Sequence, residues 1–160
     1  MQAEPQKEHR WLEALLGDWT MEAVADCGPD QSQTKTEGRE SVRSLGGLWV
    51  QCEGRGEMPG GGAATMQMTL GYDPQRQKFV GTWIGSMMTH LWVYEGTLDE
   101  SETVLTLEAE GPDFARPGQM AKYRDVIQLK GPDHRTLTSQ LQGEDGDWHA
   151  FMWANYYRVK

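Results

Sequence analysis

The sequence predicts an all-β domain, a closed antiparallel up-and-down β-barrel of about ten strands with a short N-terminal helix. After Gly17 the chain alternates between apolar and polar residues with a period of two, which is typical of half-buried strands. Clusters of Gly, Pro, Asp and Ser separate these segments roughly every 8–14 residues, as in sandwiches and barrels. Closure of such a meander removes its two exposed edges, which favours the barrel.

The length and composition indicate a single domain. The chain has 160 residues, of which 38% are hydrophobic and 24% are charged, and one core usually serves roughly 100–200 residues. We therefore expect one domain over residues 1–160, with the helix at about 5–16 and the barrel at about 17–160.

The helix is predicted by a short apolar face near the start of the chain. Pro5 suits a first helical turn, and Gly17 suits the position just after a helix end. The apolar face contains Trp11, Leu12, Leu15 and Leu16. A helix this short needs a surface to lie on, so we expect it to cover one end of the barrel.

The strands are predicted by alternation, and their ends by turn residues. The predicted strands are 18–26, 33–45, 48–57, 64–72, 78–86, 87–98, 103–110, 122–130, 136–141 and 148–159. The first turn falls at Cys27–Asp30, and a glycine-rich loop is expected at 58–62. Most connections are short enough for hairpins, so a meander is the simplest topology.

Charge and cysteine content restrict the partners and the compartment. The net charge is −9 and the pI is about 4.9, whereas nucleic acids and anionic membranes require a cationic face. Cys27 and Cys52 are too far apart in sequence for a metal motif or a disulfide framework. The chain starts without an apolar leader segment and contains no apolar run of about 20 residues. We expect a cytoplasmic protein that binds neither nucleic acid nor membrane.

Two groups of motifs resemble known families. Gly17-Asp18-Trp19 after one short helix resembles the Gly-x-Trp entry of lipocalins and related calycins. In that superfamily the Trp closes the base of the barrel beneath an Arg from late in the chain. The resemblance implies that Trp19 and Arg158 close this barrel.

The middle of the chain resembles a mostly bacterial family of calycin-like domains of unknown function. The motifs that carry this resemblance are Gly71-Tyr72-Asp73-Pro74, Phe79-Val80-Gly81-Thr82-Trp83, Tyr94-Glu95-Gly96-Thr97 and Tyr156-Tyr157-Arg158. The resemblance implies the barrel but no activity. Members of that family often have an Asp two positions after the Trp, where this chain has Gly85.

The aromatic and methionine content predicts a lumen that is either filled or lined for an apolar ligand. We expect non-covalent binding of a small apolar or aromatic molecule, although one sequence leaves open which strand faces lie inside. The lumen candidates are Trp83, His90, Trp92, Tyr94, Tyr123 and Asp125.

Several alternatives stay open from the sequence. His90 or Asp125 could act as an acid or base in an isomerase or lyase. His90 or His149 could instead ligate haem in the lumen, but the four histidines lack metal-site spacing and we expect no metal or cofactor. The barrel could also be a structural module without ligand, and a homodimer is compatible with every alternative.

Overall fold

Ten antiparallel strands form the molecule. The computed structural model describes residues 2–26, 34–58 and 61–160. The strands are β1 (Gly17–Ala25), β2 (Thr34–Leu45), β3 (Trp49–Glu57), β4 (Ala63–Asp73), β5 (Lys78–Gly85), β6 (Trp92–Leu98), β7 (Val104–Pro112), β8 (Met120–Gly131), β9 (His134–Gln142) and β10 (Trp148–Arg158).

The strands close into an up-and-down barrel. Each strand pairs with its neighbours in sequence, and β1 pairs with β10 to close the sheet. In that closing pair, Trp19 lies opposite Arg158 and Ala25 lies opposite Met152. The prediction of a closed, antiparallel barrel with an N-terminal helix is therefore confirmed.

The strand boundaries agree with the sequence prediction to within a few residues, except at β6. That strand begins at Trp92, whereas the sequence predicts a start at Met87. The turn predicted at Cys27–Asp30 and residues 59–60 of the predicted loop lie outside the described residues. No helix in the described segments is long and apolar enough to cross a membrane.

The helical segment is shorter than predicted and has two parts, which we call the plug. Helix α1 spans Lys7–Trp11 and continues as a 3₁₀ helix over Leu12–Leu15. Reciprocal hydrogen bonds between Gln6 and His9 form a capping box, which sets the start of α1 at Lys7. Both leucines at the ends of the 3₁₀ helix are buried.

The plug lies across one end of the barrel. His9 Nε2 donates a hydrogen bond to the carbonyl oxygen of Tyr72 over 3.1 Å, and Trp11 Nε1 donates to that of Glu102 over 2.6 Å. Strand direction places the connections 46–48, 74–77, 99–103 and 132–133 at this end. The connections 86–91, 113–119 and 143–147 lie at the opposite end, which we call the mouth.

The barrel is solid near the plug. A layer of almost fully buried side chains fills this half: Leu12, Leu15, Trp19, Val42, Val50, Leu70, Phe79, Leu105 and Leu107. None of these residues lines the lumen cavity. The lumen is therefore filled near the plug and hollow toward the mouth.

Candidate functional site

The hollow half of the lumen is a cavity of about 360 Å³, within the size range of small-molecule sites. Seven methionines line it: Met21, Met58, Met66, Met68, Met87, Met88 and Met152. The aromatic lining consists of Trp83, Trp92, Phe114, Tyr123, Phe151 and Tyr156. Flexible thioethers and aromatic rings make a wall that can adapt to the shape of an apolar ligand.

A β-bulge in β10 adds to this wall. The pairing of β10 with β9 shifts between Ala150 and Met152, which leaves Phe151 as an extra residue. Both Phe151 and Met152 consequently line the cavity. A regular strand would have turned one of these two neighbours outward.

Two glycines give the large wall side chains their room. A Cβ atom at Gly111 would lie 2.2 Å from the Trp92 ring. A Cβ atom at Gly85 would lie 2.5 Å from Met87 Sδ and 2.6 Å from Trp83 Cη2. An Asp at position 85 would therefore displace two side chains that line this cavity.

The cavity ends on a group of polar side chains, which we call the polar floor: Glu40, Tyr94, Asp125, Arg135, Ser139 and Tyr156. Asp125 is at its centre. The Tyr94 hydroxyl donates a hydrogen bond to Asp125 Oδ2, and Ser139 Oγ donates to Oδ1 over 2.6 Å. Asp125 borders the cavity and is partly buried.

Burial is the main cause of the pKa shifts of Asp125 and Tyr94. It raises the pKa of the Asp125 carboxyl above its usual value, although the hydrogen bonds from Ser139 and Tyr94 oppose the shift. Burial also raises the pKa of Tyr94 well above its usual value, with the neighbouring Asp125 charge as a further cause. Tyr94 therefore stays protonated and serves as a donor.

An ion pair forms the other part of the polar floor. Arg135 Nη2 donates to Glu40 Oε1, and both side chains are largely buried. The Arg135 guanidinium carbon lies 4.0 Å from the centre of the Tyr156 ring and 4.7 Å from that of Trp19. Glu40 borders the cavity, so the ion pair lies between the cavity and the apolar layer near the plug.

Tyr156 and Cys52 complete the surroundings of the floor. The Tyr156 hydroxyl has no hydrogen-bond partner among the described residues, and its pKa is raised by burial and by Glu40. Burial, with a further contribution from Glu40, also raises the pKa of the Cys52 thiol. The thiol is therefore protonated at neutral pH, which makes it a poor nucleophile.

The structure brings most of the predicted lumen residues together. Trp83, Trp92, Tyr123 and Asp125 line the cavity, and Tyr94 lies behind Asp125. The Tyr123 hydroxyl donates to the carbonyl oxygen of Pro112, so this residue offers a ligand its ring rather than its hydroxyl.

The residues predicted to close the base are in contact. The Arg158 guanidinium carbon lies 4.2 Å from the centre of the Trp19 ring. Arg158 also donates hydrogen bonds to the carbonyl oxygens of Ala14, over 3.1 Å, and Leu16. It thereby ties β10 to the end of the plug.

His90 does not line the cavity, so its predicted lumen position is wrong. Residues 87–91 are not part of a strand, and the alternation that predicted an inward side chain does not apply to them. His90 Nε2 donates instead to the carbonyl oxygen of Glu110 over 2.9 Å, and the ring packs edge-on against Trp92.

The other histidines also lie outside the cavity lining. His9 is in the plug, His134 contacts Asn155 and Tyr157, and the exposed His149 lies 3.2 Å from Asp145. Haem ligated by a lumen histidine therefore does not fit the residues present. No group of three or more His, Cys, Asp or Glu suited to a metal ion occurs in the described segments.

Sequence reasoning missed part of the floor. Arg135, Leu137, Ser139 and Leu141 follow a period of two along β9, and this was the available signal for an inward Arg and Ser. Of the tryptophans, only Trp83 and Trp92 line the cavity in the described part of the chain. Trp49 and Trp153 are partly exposed, and Trp148 stacks against Arg124 at 3.9 Å.

Fold and site together define the chain as a closed ten-stranded β-barrel with a ligand-sized cavity in its lumen. The model of a family described as "Protein of unknown function (DUF1579)" matches residues 4–158. The chain belongs to this family, which confirms the resemblance to a barrel family of unknown function. No curated protein matches the chain.

Solved structures with the same fold share little sequence with this chain. Rv2717c from M. tuberculosis is 12% identical with a TM-score of 0.64, and the match covers 98% of this chain and 100% of that one. EF1p2_mFAP2b bound to DFHBI is 11% identical with a TM-score of 0.52, covering 95% and 99%. The redesigned β-barrel mFAP1 bound to DFHBI is 13% identical with a TM-score of 0.50, covering 93% and 99%. At these identities the matches show the fold alone.

Proposed function

We propose that this protein binds a small, largely apolar or aromatic molecule non-covalently in the barrel lumen. The observation that carries the proposal is the cavity of about 360 Å³, with walls of methionine and aromatic side chains and a floor of a few polar groups. This division suits a ligand site, since apolar walls supply contact area and polar groups set orientation. Barrels of the same fold have been solved with DFHBI bound, which is consistent with this use of the lumen.

The roles within the site follow from position. Trp83, Trp92 and Tyr123 supply flat contact surfaces along the wall. Asp125 orients the polar end of the ligand, with Tyr94 holding the carboxylate from behind. We place this binding function in the cytoplasm, where the Cys52 thiol stays reduced.

The proposal is tested by titrating the protein with a polarity-sensitive dye. Ala25 lines the cavity, whereas the side chain of its neighbour Val24 points to the other face of β1. Ala25→Phe fills the cavity and is expected to weaken dye binding by about tenfold or more, whereas Val24→Phe adds the same ring outside and leaves binding unchanged. Equal binding by both variants would contradict the proposal.

Native mass spectrometry of the protein as purified provides a second measurement. A bound small mass that is lost in Ala25→Phe but kept in Val24→Phe supports the proposal. If wild type carries no small molecule and binds no dye, the lumen is not a binding site. A structural or homodimeric module is then favoured.

The position of Asp125 supports a second candidate function, that of an acid/base enzyme of the isomerase or lyase type. A carboxyl group with a raised pKa that borders a largely apolar cavity is a common proton-transfer group. Asp125 would accept a proton from a carbon next to a substrate carbonyl and return it to another atom of the same molecule. His90, the other sequence candidate, lies outside the cavity.

The two candidates differ in what Asp125→Asn changes. For the enzyme, the variant still binds substrate but loses turnover, which is measured as conversion of unsaturated ketones to their conjugated isomers by ultraviolet absorbance. Conversion that is absent in wild type, or unchanged in Asp125→Asn, contradicts this candidate and leaves non-covalent binding in place.

A further inference from the structure

We propose that the lumen selects ligands whose apolar body ends in a cationic hydrogen-bond donor, such as a protonated amine, and disfavours ligands that end in a carboxylate. This inference rests on the proposed binding function, and it names the chemical class of the ligand. It depends on three features of the polar floor: the balance of charge, the partners of Asp125 and the free hydroxyl of Tyr156.

The charges that border the cavity leave one carboxylate without a cation. The Asp, Glu, Lys and Arg residues in the described lining are Arg39, Glu40, Glu57 and Asp125, and the raised pKa values of Cys52, Tyr123 and Tyr156 keep those three groups neutral. Arg39 and Glu57 are exposed, so solvent screens their charges. Glu40 is paired with Arg135. Asp125 therefore sets the net charge of the enclosed part of the site.

The partners of Asp125 are neutral. Both of its oxygens accept hydrogen bonds from hydroxyl groups, those of Tyr94 and Ser139. These bonds favour the ionised carboxylate without neutralising it. A ligand cation that reached the floor would supply the missing charge, whereas a ligand carboxylate would place a like charge beside Asp125 in a region shielded from solvent.

Tyr156 provides a second contact for the same ligand group. Its side chain lines the cavity and is about 95% buried, and its hydroxyl has no hydrogen-bond partner among the described residues. An ammonium group has three N–H donors. It can donate to the Asp125 carboxylate and to the Tyr156 oxygen at once, which an alcohol with one donor cannot do.

The walls are compatible with a cation on its way to the floor. The rings of Trp83, Trp92 and Phe151 border the space above Asp125, and aromatic faces attract ammonium groups. The net charge of the chain is −9, which also favours the approach of a cation over that of an anion.

The test uses three ligands with the same ten-carbon chain: 1-aminodecane, 1-decanol and decanoic acid. Affinities are measured by displacement of the dye at pH 7, below the concentrations at which the ligands aggregate. We expect the amine to bind about tenfold or more tightly than the alcohol, and the acid to bind most weakly.

Variants assign this preference to the floor. In Asp125→Asn the amine and the alcohol are expected to bind within about twofold of each other, because the charge that distinguishes them is removed. Glu108→Gln is the matched control, because it removes one negative charge from an exposed side chain on the outer face of β7 and should leave the preference intact. Tyr156→Phe, which removes only the free hydroxyl, should lower affinity for the amine more than for the alcohol.

The outcomes separate this inference from the proposed function. If the alcohol binds but the acid binds as well as the amine, the charge preference is overturned and lumen binding stands. If the amine preference persists in Asp125→Asn, or disappears equally in Glu108→Gln, the assignment to Asp125 is overturned. If none of the three ligands displaces the dye and the dye itself does not bind, the proposed function fails. Should Asp125→Asn not fold, as judged by circular dichroism, the wild-type series and Tyr156→Phe decide.

Discussion

Replacing Glu40 by Gln is expected to destabilise the protein more than any exposed charge substitution. The change leaves Arg135 without its carboxylate while its side chain is only 5% exposed. Removal of one partner from a buried ion pair costs about 3–5 kcal/mol, because the remaining charge is uncompensated. The Nε atom of Arg135 already lacks a partner among the described residues, so few local groups can compensate.

Two features reduce the expected cost to the lower end of that range. Arg135 keeps its contacts with the rings of Trp19 and Tyr156 in the variant, and Glu40 borders a cavity that water can enter. We therefore expect a loss of about 3 kcal/mol in the free energy of unfolding. For a chain of this size that corresponds to a fall in Tm of about 6–12 °C.

The assay is urea unfolding followed by tryptophan fluorescence, with thermal melts as a check. Glu53→Gln is the control, because Glu53 forms an exposed pair with Arg55 over 2.9 Å, and such pairs contribute about 0–1 kcal/mol. The double variant Glu40→Leu, Arg135→Met should be more stable than Glu40→Gln, since it leaves no buried charge. A loss below about 1 kcal/mol in Glu40→Gln, or a double variant less stable than the single, would refute the reasoning.

Three further predictions concern the plug, the floor and the wall. Leu15→Ala in the plug should lower the free energy of unfolding by about 2–5 kcal/mol in urea titrations, because Leu15 is only 2% exposed. A loss below that range would show that the plug does not stabilise the barrel. The folded state holds the Asp125 proton more tightly than the unfolded state, because the folded pKa is raised above 3.8. Wild type should therefore lose stability relative to Asp125→Asn as the pH rises from about 4 through the raised folded pKa, and parallel pH profiles in urea titrations would contradict that direction. Gly111→Ala should push the Trp92 ring aside and lower the free energy of unfolding by about 1–3 kcal/mol. The movement should also shift the tryptophan fluorescence emission, and an unchanged spectrum would show that the ring did not move.

The fold was predictable because its signals are local. Alternation with period two and clusters of turn residues occur in each segment, and they located all ten strands. The exception, residues 87–91, has apolar residues in a connection between strands, and alternation alone cannot distinguish these from a strand. The same error placed His90 in the lumen.

The candidate site was only partly predictable because its polar members meet across the barrel. Glu40 and Arg135 are 95 positions apart in sequence, and Tyr94 reaches Asp125 from a strand that does not pair with β8. Sequence periodicity can indicate that a side chain points inward but not which inward side chain it meets. The bulge at Phe151 was not predictable either. One extra residue changes which positions of β10 point inward, and no strong sequence signal marks it.

That bulge also suggests how such a barrel can change its ligand. Phe151 is an unpaired residue in an otherwise regular ladder, so its deletion would restore continuous pairing and remove one ring from the cavity wall, while Ala150 and Met152 would stay opposite Gln140 and Ser139 on their present faces. The number of strands would stay the same. The closure between β1 and β10 would also be kept, because the pairing of these two strands runs from Met152 to Arg158 on β10 and does not include Phe151. A deletion of this one residue thus enlarges the pocket by a whole aromatic side chain in one evolutionary step, and the strand pairing of the barrel becomes more regular rather than less.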